Sequence, residues 1–497
     1  MGRRTVVRGM SLVVLVLAGC ALNPVTRRPE LAVVSQSTEL ELGAQQAKAI
    51  QAGMGLVGEG ALVAYVRAVG DRLAASSPRR DVPYAFHVVD TPEPNAFAIP
   101  GHVYVTRGLL VLLNDEDELA GVLAHEVGHI AARHAVQRIS RALPAGILTG
   151  VVSGVTGLAS PLLGSLFEAG GSLATEALLA PYSRDQEREA DRVGQDIAAR
   201  TGYDPAALAR SLATLERVEA LGDEPKNRPS FLDSHPSTPE RARATAAYAV
   251  GLTRSPAAPI AAARDAFLDR LDGLVVGQGA VQGVFEKTTF LHPDLGFHLR
   301  FPSDWKTENA ATAVAGAAPD GKVAVILADA ADGTDPMEGV RAFEKDIKQP
   351  LTSRLDHPTI NELPAAHLAA SAESDGRRVA IELWWIALDG HVFQLTGIAP
   401  ARTEAESRPL LKAIAETFGR LTPDERTRIT ERRLRLMEPK KGESMTAFTI
   451  RTATPWKPEL VAIANGLDRG TPPPAGQRLK VAKTEPYRSP TSPSSLK

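Results

Sequence analysis

The chain has 497 residues, too many for one hydrophobic core, and this length predicts about two to four domains. The formal net charge is −2, so the basic excess typical of nucleic-acid-binding proteins is missing and we expect no nucleic-acid partner. Cys20 is the only cysteine, which excludes an internal disulfide framework.

The N-terminal residues have the order of regions found in a secretory signal. Three arginines precede an apolar stretch at residues 10–18, which is too short to span a bilayer. The stretch ends in Leu17-Ala18-Gly19-Cys20, which resembles the lipobox of bacterial lipoproteins. This resemblance implies cleavage before Cys20 and acylation of its thiol, and Ala21 favours the outer membrane over inner-membrane retention. The alternative is an uncleaved N-terminal anchor in which the cysteine occurs by chance.

Apolar periodicity predicts the elements that follow a short polar tether at Asn23–Ser35. Helices are predicted at Leu40–Ile50, Ala61–Ala75, Glu116–Arg138, Tyr182–Arg200 and Pro205–Ala220, the third as one continuous helix. Strands are predicted at Tyr84–Val89, Ala96–Ile99 and Val103–Thr106.

Residues 142–181 differ from the rest, because Glu168 and Glu176 are their only charged residues. Prolines and repeated glycines argue against a membrane-spanning helix in this segment. Two interpretations remain open: a mobile lid over a functional site, or a buried helical hairpin.

The third predicted helix contains His125-Glu126-Val127-Gly128-His129. Four residues turn about 400°, so the two imidazoles project about 40° apart and can hold one zinc ion. Glu126 lies beside them and can take a proton from a zinc-activated water without ligating the metal. The alternative is a charged helix face with two satisfied histidines. It is disfavoured because apolar neighbours predict a buried helix, in which these side chains would be costly without a metal.

A catalytic zinc needs a third protein ligand, and the candidates lie in the segment Ser183–Asp191. Glu187 and Asp191 are four residues apart and share a helix face, whereas Glu189 points elsewhere and is expected to be solvated. With Glu187 as ligand, Asp191 can orient a histidine of the first helix. Spacing alone does not choose among the three carboxylates.

Four motifs follow one another along the chain: Asn95–Leu110, His125–His129 with His134, Ser183–Asp191 and Ser234–Arg241. Together they resemble the CAAX-prenyl-protease and HtpX-like zinc metallopeptidase family, in its periplasmic BepA-like lipoprotein branch. The resemblance extends from near Ser37 to near Tyr248.

The resemblance implies a mainly helical, zincin-type (gluzincin) peptidase domain with a small sheet and one Zn²⁺ per chain. It implies His125, His129 and Glu187 as zinc ligands and Glu126 as the catalytic base. It also implies that His235 acts near the metal, either by stabilising an oxyanion or as a reversible fourth ligand.

Two further implications concern the surroundings of the metal. The residues Asn95, Ala96, Phe97 and Ala98 would form an edge strand to which an extended peptide substrate adds by backbone hydrogen bonds. His134 is expected to support a ligand or to pack between helices.

The second half of the chain predicts an α+β domain, in which strand-like runs alternate with helical ones. The strand-like runs are Gly296–Phe301, Val323–Ala328, Val379–Leu388 and His391–Thr396, and the helical ones are Met337–Lys348 and Arg408–Leu421. The segment Thr289–Trp305 resembles the opening of PsbP-like domains. Segments 441–445, 460–467 and 475–481 resemble a diverged LysM module, which implies either peptidoglycan binding or a degenerate copy that packs or binds protein.

The predicted fold class is therefore α+β throughout, with the domains in a fixed order. They are a lipoprotein signal peptide (1–19), a lipidated tether (20–36), a zinc metallopeptidase domain (37–255), a PsbP-like α+β domain (256–427), a LysM-like module (428–485) and a disordered tail (486–497).

The main functional hypothesis is a zinc endopeptidase that hydrolyses misfolded or unassembled envelope proteins. It would be an outer-membrane lipoprotein facing the periplasm, tethered through Cys20, with peptidoglycan or the outer-membrane assembly machinery as further partners. The alternative is an envelope-assembly chaperone or peptidoglycan-binding adaptor whose zinc site is gated and mostly silent.

Overall fold

The computed structural model describes residues 20–31, 34–58, 60–142, 181–222, 230–236, 239–261, 263–347, 355–374 and 377–489. The predicted signal peptide, the segment 143–180 and the tail from residue 490 lie outside these residues, so the lid and hairpin interpretations stay untested. Within the described ranges, no helix has both the length and the hydrophobicity needed to cross a membrane.

The described part begins with a small hairpin, where a polar tether was expected. Strands β1 (Cys20–Leu22) and β2 (Pro29–Leu31) pair antiparallel. Asn23 closes the turn between them, because its Oδ1 accepts hydrogen bonds from the backbone N–H groups of Val25 and Thr26. Asn23 is 2% exposed, so the prediction of a simple tether is wrong at this position.

Between residues 34 and 271, the described part of the chain consists of helices and one three-stranded sheet. In order, the elements are α1 (Gln36–Met54), α2 (Ala61–Ala74), β3 (Ala85–Val89), β4 (Ala96–Ile99), β5 (His102–Thr106), α3 (Arg107–Leu112), α4 (Glu116–Ala131), α5 (His134–Ala142), α6 (Arg184–Arg200), α7 (Ala207–Glu219), α8 (Phe231–Ser234), α9 (Pro239–Val250) and α10 (Arg264–Leu271). The sheet order is β3-β5-β4, with β5 parallel to β3 and antiparallel to β4. The predicted strand Ala96–Ile99 therefore lies at a sheet edge.

Helix α4 ends at Ala131, so the prediction of one continuous helix over Glu116–Arg138 is wrong. Arg133 has a φ of 57°, which a helix cannot accommodate, and it separates α4 from α5. No glycine or proline marks this break in the sequence. The bend turns His134 against His129, with ring centroids 4.9 Å apart.

Helices α4 and α6 cross closely because glycines lie at the crossing. A Cβ atom on Gly194 would lie 2.8 Å from the backbone nitrogen of His125, and one on Gly128 would lie 2.9 Å from the carbonyl oxygen of Ala190. Either contact would force the helices apart. The close approach places Glu187 and Asp191 of α6 opposite the histidines of α4.

The second half of the chain is α+β, as predicted. Its elements are β6 (Val275–Val276), β7 (Val284–Glu286), β8 (Thr289–His292), β9 (Phe297–Arg300), β10 (Lys306–Asn309), β11 (Ala313–Ala317), β12 (Ala324–Asp332), α11 (Pro336–Ile347), β13 (Thr359–Ile360), β14 (Leu363–Ser374), β15 (Arg377–Leu388), β16 (His391–Pro400), α12 (Glu404–Ala415), β17 (Gly419–Arg420), α13 (Pro423–Arg428), β18 (Thr430–Met437), α14 (Met445–Thr452), α15 (Pro458–Ala464) and β19 (Leu479–Pro486). A seven-stranded antiparallel sheet in the order β10-β11-β12-β16-β15-β14-β13 is its largest feature.

The last unit packs directly on the helical part that precedes it. Strand β18 pairs with β19 and also with β6. In this last unit, the buried side chains of Leu434, Phe448 and Val481 belong to the same hydrophobic cluster as Leu119 of α4. One continuous core thus joins the C-terminal unit to the helix that carries the His125–His129 motif.

Candidate metal centre

Two helices and one short loop bring four donor side chains together at a buried point. His125 and His129 come from α4, Glu187 from α6, and His235 from the residue after α8. One potential ligand atom from each lies within 4.8 Å of the others, and all four residues are buried. No other such group occurs within the described ranges. The residues predicted as ligands, together with His235, therefore share one site.

The separations within this group match the spacing of ligands around one small cation. Nε2 of His125 lies 3.1 Å from Nε2 of His129 and 3.3 Å from Nδ1 of His235. Oε1 of Glu187 lies 3.4 Å from Nε2 of His129 and 3.0 Å from Nδ1 of His235. Donor atoms around a tetrahedral zinc, with bonds of about 2.1 Å, lie about 3.4 Å apart.

The groups on the far side of each α4 histidine favour a proton on Nδ1. Nδ1 of His125 lies 3.0 Å from Oδ1 of Asp191, so this nitrogen faces a carboxylate acceptor. Nδ1 of His129 lies 2.9 Å from Nδ1 of His134, and Nε2 of His134 lies 3.4 Å from Oε2 of Glu189. Because the outer nitrogen of His134 donates to Glu189, its inner nitrogen accepts from His129.

With the proton on Nδ1 of both rings, the lone pairs of the two Nε2 atoms face each other across 3.1 Å. Burial lowers the pKa of His129 well below its ordinary value, against the opposing effect of Glu187, so this ring is neutral. A cation between the two nitrogens relieves the repulsion of their lone pairs. The donor set thus fits a metal of the zinc class, which prefers imidazole and carboxylate ligands.

Arg241 of α9 stabilises the carboxylates from behind. Its guanidinium forms a bidentate pair with Asp191 through two 2.8 Å bonds, and lies 2.7 Å from Glu187. It also donates to the backbone carbonyl of His235. Arg241 belongs to the sequence motif Ser234–Arg241, but no role was predicted for it from the sequence.

The carboxylate pKa values follow from these contacts. Burial alone would raise the pKa of Glu187, but His235 and His129 outweigh it and hold that pKa well below its ordinary value. Burial would likewise raise the pKa of Asp191, but Arg241 and His125 lower it. Burial raises the pKa of Glu126, against weaker opposing effects of His235 and His125. The two carboxylates with cationic or histidine partners are thus poised as anions, and Glu126 is poised to hold a proton.

Glu126 and His235 keep unused hydrogen-bonding capacity at the centre of the site. Among the described residues, no hydrogen-bond partner reaches either carboxylate oxygen of Glu126 or Nε2 of His235, although these groups are buried. Oε1 of Glu126 lies 3.5 Å from Nε2 of His235. Buried polar atoms without partners are costly, and they concentrate where a substrate, water or ion is bound.

Aromatic side chains cover the donor group. The ring of Tyr182 stacks on His129 with centroids 4.0 Å apart, and Phe231 stacks on His235 at 4.4 Å. The same segments lie along the outer edge of β4. The backbone N–H of Phe231 donates to the carbonyl of Pro94, and the hydroxyl of Tyr182 lies 3.5 Å from the carbonyl of Ala98. The predicted substrate strand, Asn95–Ala98, is therefore an edge whose outer side is occupied.

Glu189 does not fit the expectation that it would be solvated. Its carboxylate contacts His134 and accepts a hydrogen bond of 3.0 Å from Nδ2 of Asn23, and its side chain is 19% exposed. Helix spacing correctly directed Glu189 away from the metal. The partner that covers it lies 166 residues earlier, in the hairpin, which no local pattern could indicate.

Comparisons with known proteins agree with this site. Residues 61–249 match the model of Peptidase family M48. The mitochondrial metalloendopeptidase OMA1 of Schizosaccharomyces pombe is 36% identical over 36% of this chain and 50% of its own. The beta-barrel assembly-enhancing protease of Yersinia pestis is 30% identical over 41% of this chain and 42% of its own, and metalloprotease YcaL of Escherichia coli K12 is 34% identical over 32% and 60%.

These similarities support a metalloendopeptidase and confirm the predicted resemblance at the level of family M48 and its beta-barrel assembly-enhancing members. The chain spans about half the length of the curated relatives it matches. A solution structure of cyanobacterial PsbP from Synechocystis aligns with a TM-score of 0.21 and 12% identity, over 29% of this chain and 98% of that one. A likeness of that strength carries no argument, so the PsbP-like domain stays a prediction.

Proposed function

We propose that this protein is a zinc-dependent endopeptidase of the bacterial cell envelope, and that it cleaves misfolded or unassembled envelope proteins. The observation that carries the proposal is the 3.1 Å separation of Nε2 of His125 from Nε2 of His129, in a buried group with Glu187 and His235. The relatives named beta-barrel assembly-enhancing proteases support envelope proteins as the substrate class. The lipobox resemblance at Cys20 supports an outer-membrane lipoprotein facing the periplasm.

His125, His129 and Glu187 would hold the zinc. Asp191 and Arg241 would orient the side chains of His125 and Glu187. A bound zinc supplies Lewis-acid polarisation of the scissile carbonyl and lowers the pKa of a water to about 7. Glu126 takes the proton of the attacking water and passes it to the leaving amine. Its burial and raised pKa suit a group that must hold a proton between these steps.

A peptide substrate would add to β4 in extended form, with backbone hydrogen bonds to Asn95–Ala98. Tyr182 and Phe231 occupy that edge, so binding requires their displacement. Because Phe231 is the first residue of α8 and His235 directly follows the helix, displacing one would move the other. We infer that His235 is the reversible fourth ligand of a closed form, and that substrate entry removes it from the metal.

The same closed geometry favours a second candidate function, an envelope-assembly chaperone or peptidoglycan-binding adaptor with a mostly silent zinc site. It rests on the burial of every member of the donor group. The zinc peptidase remains the better proposal because, among the described residues, the buried carboxylate of Glu126 has no hydrogen-bond partner that would give it a structural role. The LysM-like identity of residues 428–485 would matter most for this second function.

Glu126→Gln separates the two functions. The purified full chain should degrade unfolded casein, and the variant should lose about 10²–10⁴-fold of that activity while retaining one zinc per chain. The matched control is Glu219→Gln, the same chemical change at the exposed end of α7, which should leave the rate unchanged. Equal rates for wild type and Glu126→Gln would contradict the proposed endopeptidase.

His235→Ala tests whether His235 closes the site as a reversible fourth ligand. If His235 closes the site, its removal should raise the rate of casein cleavage at unchanged zinc content. A fall of about 10²-fold or more would instead assign His235 to oxyanion stabilisation.

A further inference from the structure

The hairpin β1–β2 is connected to the metal centre through three side chains. Nδ2 of Asn23 donates to Oε1 of Glu189 over 3.0 Å. The other oxygen of Glu189 faces Nε2 of His134 at 3.4 Å, and Nδ1 of His134 faces Nδ1 of His129 at 2.9 Å. The chain of contacts thus runs from the third residue after Cys20 to an imidazole of the donor group.

Each member of this chain has only one chemically consistent direction. Asn23 donates through its amide nitrogen, because its Oδ1 already accepts from two backbone N–H groups of the turn. Glu189 can only accept, so His134 donates to it and accepts from His129. This direction leaves Nε2 of His129 as a lone-pair donor pointing at the other ligands. Donation toward a carboxylate also makes a ligating imidazole more basic.

The residues of this chain of contacts are largely buried, so the contacts are part of the structure of the site. Asn23 is 2% exposed and His134 is fully buried. The turn carries a second attachment, because Val25 packs against the hydrophobic cluster that contains α4. Asn23 is therefore positioned by the hairpin and is hydrogen-bonded to Glu189, whereas the side chain of Val25 contributes packing alone.

We propose that Asn23 is a positioning residue for the zinc ligand His129, acting through Glu189 and His134, so that the N-terminal hairpin is a functional part of the metal centre. This inference rests on the proposed zinc site. It means that the point at which the chain would attach to a membrane, Cys20, begins a hairpin that is hydrogen-bonded to the peptidase through Asn23, rather than a free tether.

Zinc affinity of the purified full chain, measured by competition with a chromophoric chelator, tests the inference. Glu189→Ala should raise the zinc dissociation constant about tenfold, as loss of a ligand's supporting group usually does. Asn23→Asp keeps the oxygen that closes the turn, removes the amide donor and sets a carboxylate against Glu189. It should raise the constant by about threefold to fivefold, because it acts one contact further away.

Two controls separate hydrogen bonding from general loosening of the hairpin. Val25→Ala weakens the packing of the same turn and should leave the dissociation constant unchanged. In a Glu189→Ala background, Asn23→Asp should have no additional effect, because the connection is already lost. The visible absorption bands of the cobalt-loaded protein should shift in Asn23→Asp and Glu189→Ala and stay unchanged in Val25→Ala.

Equal zinc affinity in wild type, Asn23→Asp and Glu189→Ala would overturn the inference while leaving the proposed peptidase intact. The same follows if Val25→Ala weakens zinc as much as Asn23→Asp does, or if the two substitutions act additively. A wild-type chain that binds no zinc would overturn this inference and the proposed function together.

Discussion

Two of the buried glutamates of helix α4 have opposite surroundings. Glu116 accepts hydrogen bonds from the hydroxyls of Tyr65 and Tyr203, at 2.8 and 3.0 Å, and from the backbone N–H groups of Ile260 and Ala261. Glu126, ten residues later and fully buried, has no hydrogen-bond partner within the described part of the chain. Burial is therefore a poor guide to role on this helix, and the number of donors around the carboxylate distinguishes a structural group from a chemical one.

The largest expected effect on stability is at Glu116. Glu116→Ala leaves two tyrosine hydroxyls and two backbone N–H groups buried without an acceptor, and should lower the free energy of unfolding by about 4 kcal/mol. Urea titration of the purified chain measures this loss. If Glu116→Ala unfolds at the same urea concentration as wild type, Glu116 does not have the structural role that distinguishes it from Glu126.

Arg241→Lys is expected to have the next largest effect. Arg241 gives Asp191 and Glu187 the donors that Glu126 lacks, and a lysine cannot reproduce the bidentate pair. Zinc affinity should fall about tenfold, as measured by chelator competition. Unchanged affinity would show that the orientation of Asp191 does not depend on this pair.

Lys480 is another buried ionisable side chain, and its effect on the free energy of unfolding should depend on pH. It is fully buried, its Nζ lies 2.5 Å from the carbonyl of Leu113, and desolvation lowers its pKa to about 7, against the opposing effect of Glu118. The unfolded value is about 10.4, so the unfolded chain binds more protons between these two values and the free energy of unfolding rises with pH across that window. Lys480→Met should flatten the rise, which urea titrations at pH 6.5 and 9.5 can show. Equal pH dependence in both proteins would contradict this interpretation.

The smallest expected effect is the stability change in Glu126→Gln. With no hydrogen bond to lose, the metal-free variant should match or exceed the wild-type free energy of unfolding, within about 1 kcal/mol. Thermal unfolding in the presence of a chelator measures it. A loss comparable to that of Glu116→Ala would mean that Glu126 has a structural role after all.

Periodicity and spacing predicted much of the α4–α6 framework. The strand Ala96–Ile99 has the predicted bounds, and Glu187 and Asp191 face α4 because a four-residue spacing fixes their common direction. These features depend on local geometry, which a single sequence contains.

Contacts between distant segments could not be predicted in this way. Arg133 adopts a left-handed conformation that its residue type does not indicate, and Asn23 reaches Glu189 only after the hairpin folds onto the helices. His235 was indicated by resemblance alone, because a histidine before a proline in a loop has no helical face to orient it. The C-terminal unit and α4 also share one hydrophobic core. This packing is a tertiary contact, which composition and turn patterns do not predict.

The most direct test of the metal centre is an atomic-resolution crystal structure of the zinc-loaded Glu126→Gln variant, with anomalous diffraction recorded at the zinc edge. We expect one zinc ion about 2.0–2.2 Å from Nε2 of His125, Nε2 of His129 and a carboxylate oxygen of Glu187, with residue 126 outside the coordination sphere. The distance from zinc to Nδ1 of His235 in the same map distinguishes the closed form, in which His235 binds the metal, from the open form, in which it does not. A zinc ion bound without the two histidines of α4, or no zinc at this point, would contradict the proposed catalytic centre.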